Sequence, residues 1–321
     1  MIGPYDRDLT MAALQRALPY IRLFKNRIFV VKAGGAMCGD PSALKDVAGQ
    51  LSVLRELGIK VVLVHGGGPQ TTALSKKLGL ETSFIEGRRV TTKETLEVAV
   101  MTMNGSVNTA ILGACRAADL PAVGLCGLDA GLIRARRRPP QIRQLDGATA
   151  AVDYGLVGDI VSVDATVIHR LLDAGFMPVV SPLCADDGGQ VLNVNADTVA
   201  STLARELKAE KLILLTDTPG LLEDKQNPGS LISYTDVRGL DALAKKGAID
   251  EGMLPKVKAA VDSLQGGVNR VHMVGYKARA NLLVEVFTNE GSGTLIVRDT
   301  SELPPSEATT QASALAGAAG R

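Results

Sequence analysis

Short runs of β-branched and aliphatic residues recur along the chain at 27–32, 60–65, 121–125, 177–181, 211–216 and 270–274, with helical periodicity between most of them. A run such as Val61-Val62-Leu63-Val64 shows no polar alternation, the pattern of a strand covered on both faces. Strand and helix in alternation predict an α/β fold, a mainly parallel open sheet sandwiched by helices. Ahead of the first strand, Met11, Leu14, Leu18 and Ile21 follow three- and four-residue spacing, so an amphipathic helix is expected there, kinked or ended near Pro19. Its apolar face needs something to pack on. The alternation breaks between Ile133 and Asp164, where arginines and a Pro-Pro pair precede a stretch, Val152 to Val163, that reads as hairpin strands in an excursion at one edge. After Val297 the composition turns to Ser, Glu, Thr, Ala and Gly with Pro304-Pro305, and 299–321 reads as a disordered tail.

With 321 residues, 46% of them hydrophobic, the chain can bury a large core in one unit or two lobes. Lys+Arg 35 against Asp+Glu 34 leaves no global basic field of the kind nucleic-acid binding needs, so any anion site must be local. The four cysteines form no Cys-x-x-Cys pair and read as small buried hydrophobes. No run approaches the roughly 18 apolar residues of a membrane span, and Asp6, Arg7 and Asp8 precede any apolar stretch. A soluble, cytoplasmic protein without membrane or nucleic-acid partners is expected.

The candidate chemistry sits where strands end. Val30-Val31-Lys32-Ala33-Gly34-Gly35 puts a lysine at the carboxyl end of a central strand, followed by two glycines that let backbone N–H groups approach an anion. Val64-His65-Gly66-Gly67-Gly68-Pro69-Gln70 repeats the design, with Pro69 suited to a first helical turn whose dipole favours negative charge. Either cluster alone reads equally well as a tight strand-to-helix turn. Two of them on neighbouring strands could hold one phosphoryl group, with His65 placed to orient the turn. There is no Gly-x-Gly-x-x-Gly with a downstream acid and no Gly-x-x-x-x-Gly-Lys-Ser/Thr, which removes the main support for dinucleotide-binding and P-loop readings. Asn193, Asn195 and Asp197 crowd a helix start, more polar groups than one N-cap requires. Thr216-Asp217-Thr218-Pro219-Gly220-Leu221 is a turn suited to a nucleotide edge. Lys256 begins a helix, where the dipole disfavours a cation unless an anion lies near.

The blocks Lys32 to Gly35, His65 to Gln70, Gly87-Arg88-Arg89-Val90-Thr91, Asn193 to Asp197, Thr216 to Gly220 and Gly252-Met253-Leu254-Pro255-Lys256 resemble, in the same order, those of the acetylglutamate kinase branch of the amino acid kinase family, across 25–297. The resemblance implies phosphorylation of the side-chain carboxylate of N-acetyl-L-glutamate by ATP in arginine biosynthesis, with Mg²⁺ bound through the nucleotide and no metal ligand from the protein. A carboxylate is ionised at neutral pH, its pKa being about 4, so no general base is needed and charge neutralisation is the task.

On this resemblance Lys32 and Lys256 flank the transferring phosphoryl group, with Asp197 holding both lysines. Gly34, Gly35 and Gly66 bind phosphate. Gly67, Gly68, Arg89, Asn193 and Asn195 bind the acyl amino acid, Arg89 through a bidentate bond to its α-carboxylate. Thr216, Asp217, Gly220, Leu221 and Met253 border ATP. The implied organisation is a helix extension at 1–24, an amino-acid lobe at 25–205, an ATP lobe at 206–298 and the tail.

Tyr20, Glu285 and Gly293 match the arginine site of the family's hexameric, arginine-inhibited members, although Ala280-Asn281 stands where those members carry His-Ser. A homo-oligomer, a dimer or hexamer, is expected. Arg88 replaces a usually apolar residue, and Cys126-Gly127-Leu128-Asp129-Ala130 departs from Ser-Gly-Lys-Asp-Gly, changes that bear on the acyl pocket. Arg134, Arg136, Arg137 and Arg138 could dock an acidic partner such as a PII-type regulator, against the plainer reading of a solvated hairpin. A sister kinase of the aminoadipate type and a catalytically silent amino-acid-binding subunit are the competing readings.

Overall fold

The apolar runs become strands. In the computed structural model, which describes residues 7–300 apart from 86–87, 146–147, 225, 228, 251 and 289–290, eight strands form the main sheet. They are β1 (Ile28–Ala33), β2 (Lys60–His65), β3 (Ala122–Cys126), β4 (Met177–Ser181), β5 (Lys211–Thr216), β6 (Tyr234–Asp236), β7 (Arg270–Gly275) and β8 (Thr294–Val297). Their order is β6-β8-β7-β5-β1-β2-β4-β3, and every neighbouring pair is parallel except β7 with β8. The expected tail lies, from Ser301 onward, outside the described residues.

Ten helices are used below: α1 (Arg7–Phe24), α2 (Pro41–Glu56), α3 (Gly68–Lys77), α4 (Lys93–Val100), α5 (Asn108–Ala117), α6 (Thr166–Asp173), α7 (Ala196–Glu206), α8 (Val237–Lys245), α9 (Leu254–Gln265) and α10 (Asn281–Phe287). Strand residues alternate between two cores, because successive side chains point to opposite faces. Phe29, Val31 and Ala33 pack with α1, α2, α5 and α10. Val30 packs on the other face with α6, α7, α8 and α9. Lys32 follows Val30 in this alternation and so faces α7. Helix starts are capped as their sequences suggest: Asp40 accepts from Ser42 N and Ala43 N, and Asn195 accepts from Asp197 N and Thr198 N.

Several expectations change in detail. Helix α1 runs on through Pro19 to Phe24, whose ring is buried against Phe29. The stretch 152–163 is not one hairpin. Its ends serve different pairs: Ala148–Val152 closes on Gln141–Leu145, whereas Gly158–Val163 pairs with Ile133–Arg137. The second pair joins Leu183–Ala185 and Val191–Asn193 in a separate four-stranded sheet. Three of the four clustered arginines are bonded within the chain, Arg134 to Asp187, Arg137 to Asp153 and Arg138 to Asp159. The continuous helical stretch Lys93–Ala117 is, contrary to expectation, long and apolar enough to cross a membrane, yet Leu96, Ala99, Met103, Val107, Ile111 and Cys115 along it are buried in the protein. All four cysteines are buried and free. Burial pushes the thiols of Cys38 and Cys184 up to about 12 and that of Cys115 up to about 11.

Leu203, on the buried face of α7 beneath the sheet, is fully enclosed. Leu203→Ala should lower the unfolding free energy by about 2–5 kcal/mol, read as a reduced urea midpoint at unchanged slope.

Candidate active site

The register of the sheet brings the two glycine turns together. Lys32 lies opposite Val64 on one side and Leu214 on the other, and Ala33 opposite His65, so both chains leave the sheet at the same level. Gly66 N–H donates to Ala33 O at 3.0 Å. A Cβ on Gly35 would fall 2.6 Å from Pro69 Cδ and 3.3 Å from Gly68 N. A side chain is therefore excluded at Gly35. Gln70 ties the turns by donating to Gly35 O at 2.6 Å. Gly68 opens α3 and Gly35 opens a single helical turn, so their N–H groups have no acceptor within the helix. This junction brings together the two turns that each motif suggested separately.

Lys32 Nζ lies 2.9 Å from Asp197 Oδ1, both side chains only 7% exposed. The approach is off the hydrogen-bonding direction, so Asp197 Oδ1 keeps an unused acceptor position. Lys256, half-buried in the first turn of α9, donates to Gly252 O at 3.2 Å. Its pKa is lowered by burial, raised in part by Asp197, lowered by Lys32 and raised again by Asp217 and Asp250, with a net lowering. Two consequences follow. Lys256 senses the charge of both members of the Lys32–Asp197 pair. A cation desolvated there gains from any anion that enters.

The amino acid kinase family pattern matches residues 27–275. The chain belongs to the amino acid kinase family. It is similar to the acetylglutamate kinase of Myxococcus xanthus, 45% identical over 91% of this chain and 96% of that protein. It is likewise similar to that of Heliobacterium modesticaldum, 41% identical over 89% and 97%. Among solved structures it resembles N-acetylglutamate synthase from Neisseria gonorrhoeae complexed with coenzyme A and N-acetyl-glutamate, with a TM-score of 0.78, 28% identity, 90% of this chain and 64% of that one. Giardia carbamate kinase shares the fold at a TM-score of 0.62 and 18% identity, over 85% of this chain and 99% of that one.

Arg89 uses one terminal nitrogen, Nη2, on Gly68 O at 3.0 Å and on the Thr72 hydroxyl, while its guanidinium lies 4.9 Å over the Phe84 ring. Nη1 is buried without a partner. Asn193 donates to the Thr91 hydroxyl at 3.4 Å, next to the Arg89 strand. Asn195 commits its side-chain oxygen to capping α7, the plainer of its two readings. The turn Thr216–Leu221 is fastened by Thr216 Oγ1 to Thr218 O and by Leu221 N to Thr294 Oγ1. Gly220 lies so close to β8 that a Cβ would be 2.5 Å from Thr294 Oγ1. Leu221 points its side chain into the core, whereas Asp217 is exposed. Met253 N–H donates to Asp250 just ahead of α9.

Glu285 and Gly293 meet on the far side of β7, and α1, which carries Tyr20, packs on α10. Glu285 accepts from His272 Nδ1 at 2.6 Å and from Ser292 N and Gly293 N, while Lys211 Nζ meets His272 Nε2 at 2.9 Å. Tyr20 packs on the same core beside Phe24. Sequence reading did not single out His272 or Lys211, which sit in apolar strands with no local signal.

Two buried imidazoles are held neutral. Burial lowers His65 to about 4 against its bond with Gly66, and burial with Lys211 lowers His272 to about 4 against Glu285. In the unfolded chain these groups take up protons near 6.5. Between the two values the unfolded state holds more protons, so stability is full above about pH 6.5 and falls as the pH drops toward 4. Urea midpoints measured from neutrality down to pH ~4.5 should decline through this window. A midpoint that stays constant would show that neither imidazole is buried in its neutral form.

Proposed function

We propose that the cleft transfers the γ-phosphate of ATP to the side-chain carboxylate of N-acetyl-L-glutamate, giving the acyl phosphate and ADP as a step of arginine biosynthesis in the cytoplasm. What supports this reading most is the buried Lys32–Asp197 pair at the end of β1, beside two joined glycine turns, with Lys256 feeling the charge of both. The acceptor carboxylate is already an anion, so the protein's task is to bring two anions together. Lys32 and Lys256 neutralise the phosphoryl oxygens from two sides. Asp197 keeps both ammonium groups aimed into the cleft. The amides of Gly35, Gly67 and Gly68 add donors that need not reorganise during transfer. Arg89 Nη1 takes the α-carboxylate with Asn193 alongside, and the Thr216–Leu221 turn with Met253 borders the nucleotide. Mg²⁺, carried on the nucleotide's phosphates, neutralises charge between them. The acceptor-only carboxylates of Asp197 and Asp217 suit a site where cations gather. The fold divides in this reading into an acyl-amino-acid lobe up to about residue 205 and an ATP lobe beyond it, sharing one sheet.

ADP release compared with N-acetylglutamate, N-acetylaminoadipate, free glutamate and no acceptor tests class and substrate together. N-acetylglutamate should be preferred, and release equal to the no-acceptor control in every case would point to a silent subunit. Lys32→Ala and Lys256→Ala should each cut kcat by about 10²–10³-fold, while Arg89→Ala should chiefly raise KM for the acyl amino acid. Normal turnover in both lysine variants would remove the mechanism.

The exposed stripe Met11, Leu14 and Leu18 on α1 supports self-association, with α1 interlacing dimers into a hexamer. The Tyr20–Glu285–Gly293 region beside it supports arginine as an effector. Leu14→Asp should reduce the mass measured by sedimentation, and activity should fall over an arginine titration. A monomer before mutation, or a flat titration, discards the corresponding half.

A further inference from the structure

The glycine turn is held from behind, carbonyl by carbonyl. His65 Nδ1 bonds Gly66 O at 3.0 Å, the Thr71 hydroxyl bonds Gly67 O at 3.0 Å, and Gly68 O accepts from the Thr72 hydroxyl and Arg89 Nη2, each at 3.0 Å. In a planar trans peptide the carbonyl of one residue and the N–H of the next point in opposite directions. Fixing Gly66 O therefore aims the Gly67 N–H, and fixing Gly67 O aims the Gly68 N–H.

The chain of bonds continues into one irregular helix. Met101–Val107 is a π-helix between α4 and α5. Thr102 Oγ1 lies 2.8 Å from Thr71 Oγ1, both buried. Met103 lies under the turn, its Cγ 2.9 Å from where a Cβ on Gly67 would be. Asn108 Nδ2 lies 3.2 Å from His65 Nε2 and 3.4 Å from Val179 O, while Asn108 Oδ1 sits 2.0 Å from a Cβ placed on Gly124, so only glycine fits there. An amide nitrogen can only donate, so His65 Nε2 must accept. The ring proton is then on Nδ1, where it donates to Gly66 O. Thr102 and Val107, and Met103 and Asn108, are buried pairs five residues apart, the repeat of π-helical hydrogen bonds and not of an α-helix. A regular helix would turn either Met103 or Asn108 away from the glycine turn.

We propose that this π-helix positions the anion-binding amides, and that Asn108, acting through the His65 tautomer, is a positioning residue for phosphoryl transfer. It touches no substrate. It sets the direction of the Gly67 N–H, an aim on which a transition-state bond depends more than ground-state binding does. The inference rests on the reading of the cleft given above.

The test uses the full-length chain. Asn108→Leu, close in shape but without the amide, should lower kcat and kcat/KM together by about 10–100-fold, with rates expressed per folded protein. His65→Asn, which keeps a donor near the position of Nδ1, should recover most of the rate that His65→Leu loses. With three histidines in the chain, side-chain ¹⁵N spectra resolve the ring: His65 should show the Nδ1–H tautomer in the parent and a smaller share of it in Asn108→Leu, where Gly66 O alone selects it. A folded Asn108→Leu with parental kcat, or a His65→Asn as impaired as His65→Leu, overturns the inference. Should Asn108→Leu not fold, Thr102→Val decides by the same measure: reduced kcat supports the positioning role and parental kcat overturns it. Lys32→Ala, run alongside, separates the failures. An active Lys32→Ala refutes the reading of the cleft, whereas an inactive one beside an unimpaired Asn108→Leu refutes only the positioning role.

Discussion

A lysine ammonium placed among apolar side chains must have a counter-ion or lose its proton. Lys32 follows Val30 on the same face of a central strand, and the first turn of α7 supplies that counter-ion as Asp197, 2.9 Å away. Much of the site's geometry follows from this pairing. It fixes the start of α7 against the end of β1, and it needs Asn195 to cap α7 so that Asp197 points at the sheet and not into solvent. It also sets the field that Lys256 enters from α9, where burial and Lys32 weaken the second cation and Asp197 and Asp217 restore part of its charge. An isolated ion pair of this kind is weak evidence for stability.

The sheet and its order of helices were legible because covered parallel strands are apolar throughout and stand out in any window. The runs at 60–65, 177–181 and 211–216 coincide with β2, β4 and β5 residue for residue. What the sequence concealed was pairing. β6 is a short edge strand with little apolar signal of its own, formed where it lies against β8, and the four-residue β8 in turn pairs with β7. The stretch Val152 to Val163 was recognisable as strand, but its partners, and the strand at 148–152 that it only touches, depend on contacts that local pattern does not encode. Pro19 was misleading for a related reason: packing of Phe24 and Tyr20 on the core carries α1 through a residue that costs it one hydrogen bond.

The same division holds at the site. Lysines and glycines at strand ends could be found because few other residues suit those places. The π-helix could not, since nothing in Met101 to Val107 marks a change of helical repeat. Asn108 reads as an ordinary polar position on an apolar helix until the structure places it under His65. Arg89 shows the limit from the other side. Its type and place suggested a carboxylate ligand, but one of its two terminal nitrogens is given to Gly68 and Thr72, so it braces the glycine turn, a role its local sequence does not mark.

The four thiols, buried and with pKa values pushed upward, make the folded chain a poor nucleophile toward alkylating reagents. They also lie at different stations: Cys38 beside the first glycine turn, Cys115 on α5, Cys126 at the end of β3, and Cys184 in the four-stranded sheet. Each becomes reactive only when its own surroundings open, so the order in which they are modified is a built-in record of which parts of the protein loosen first.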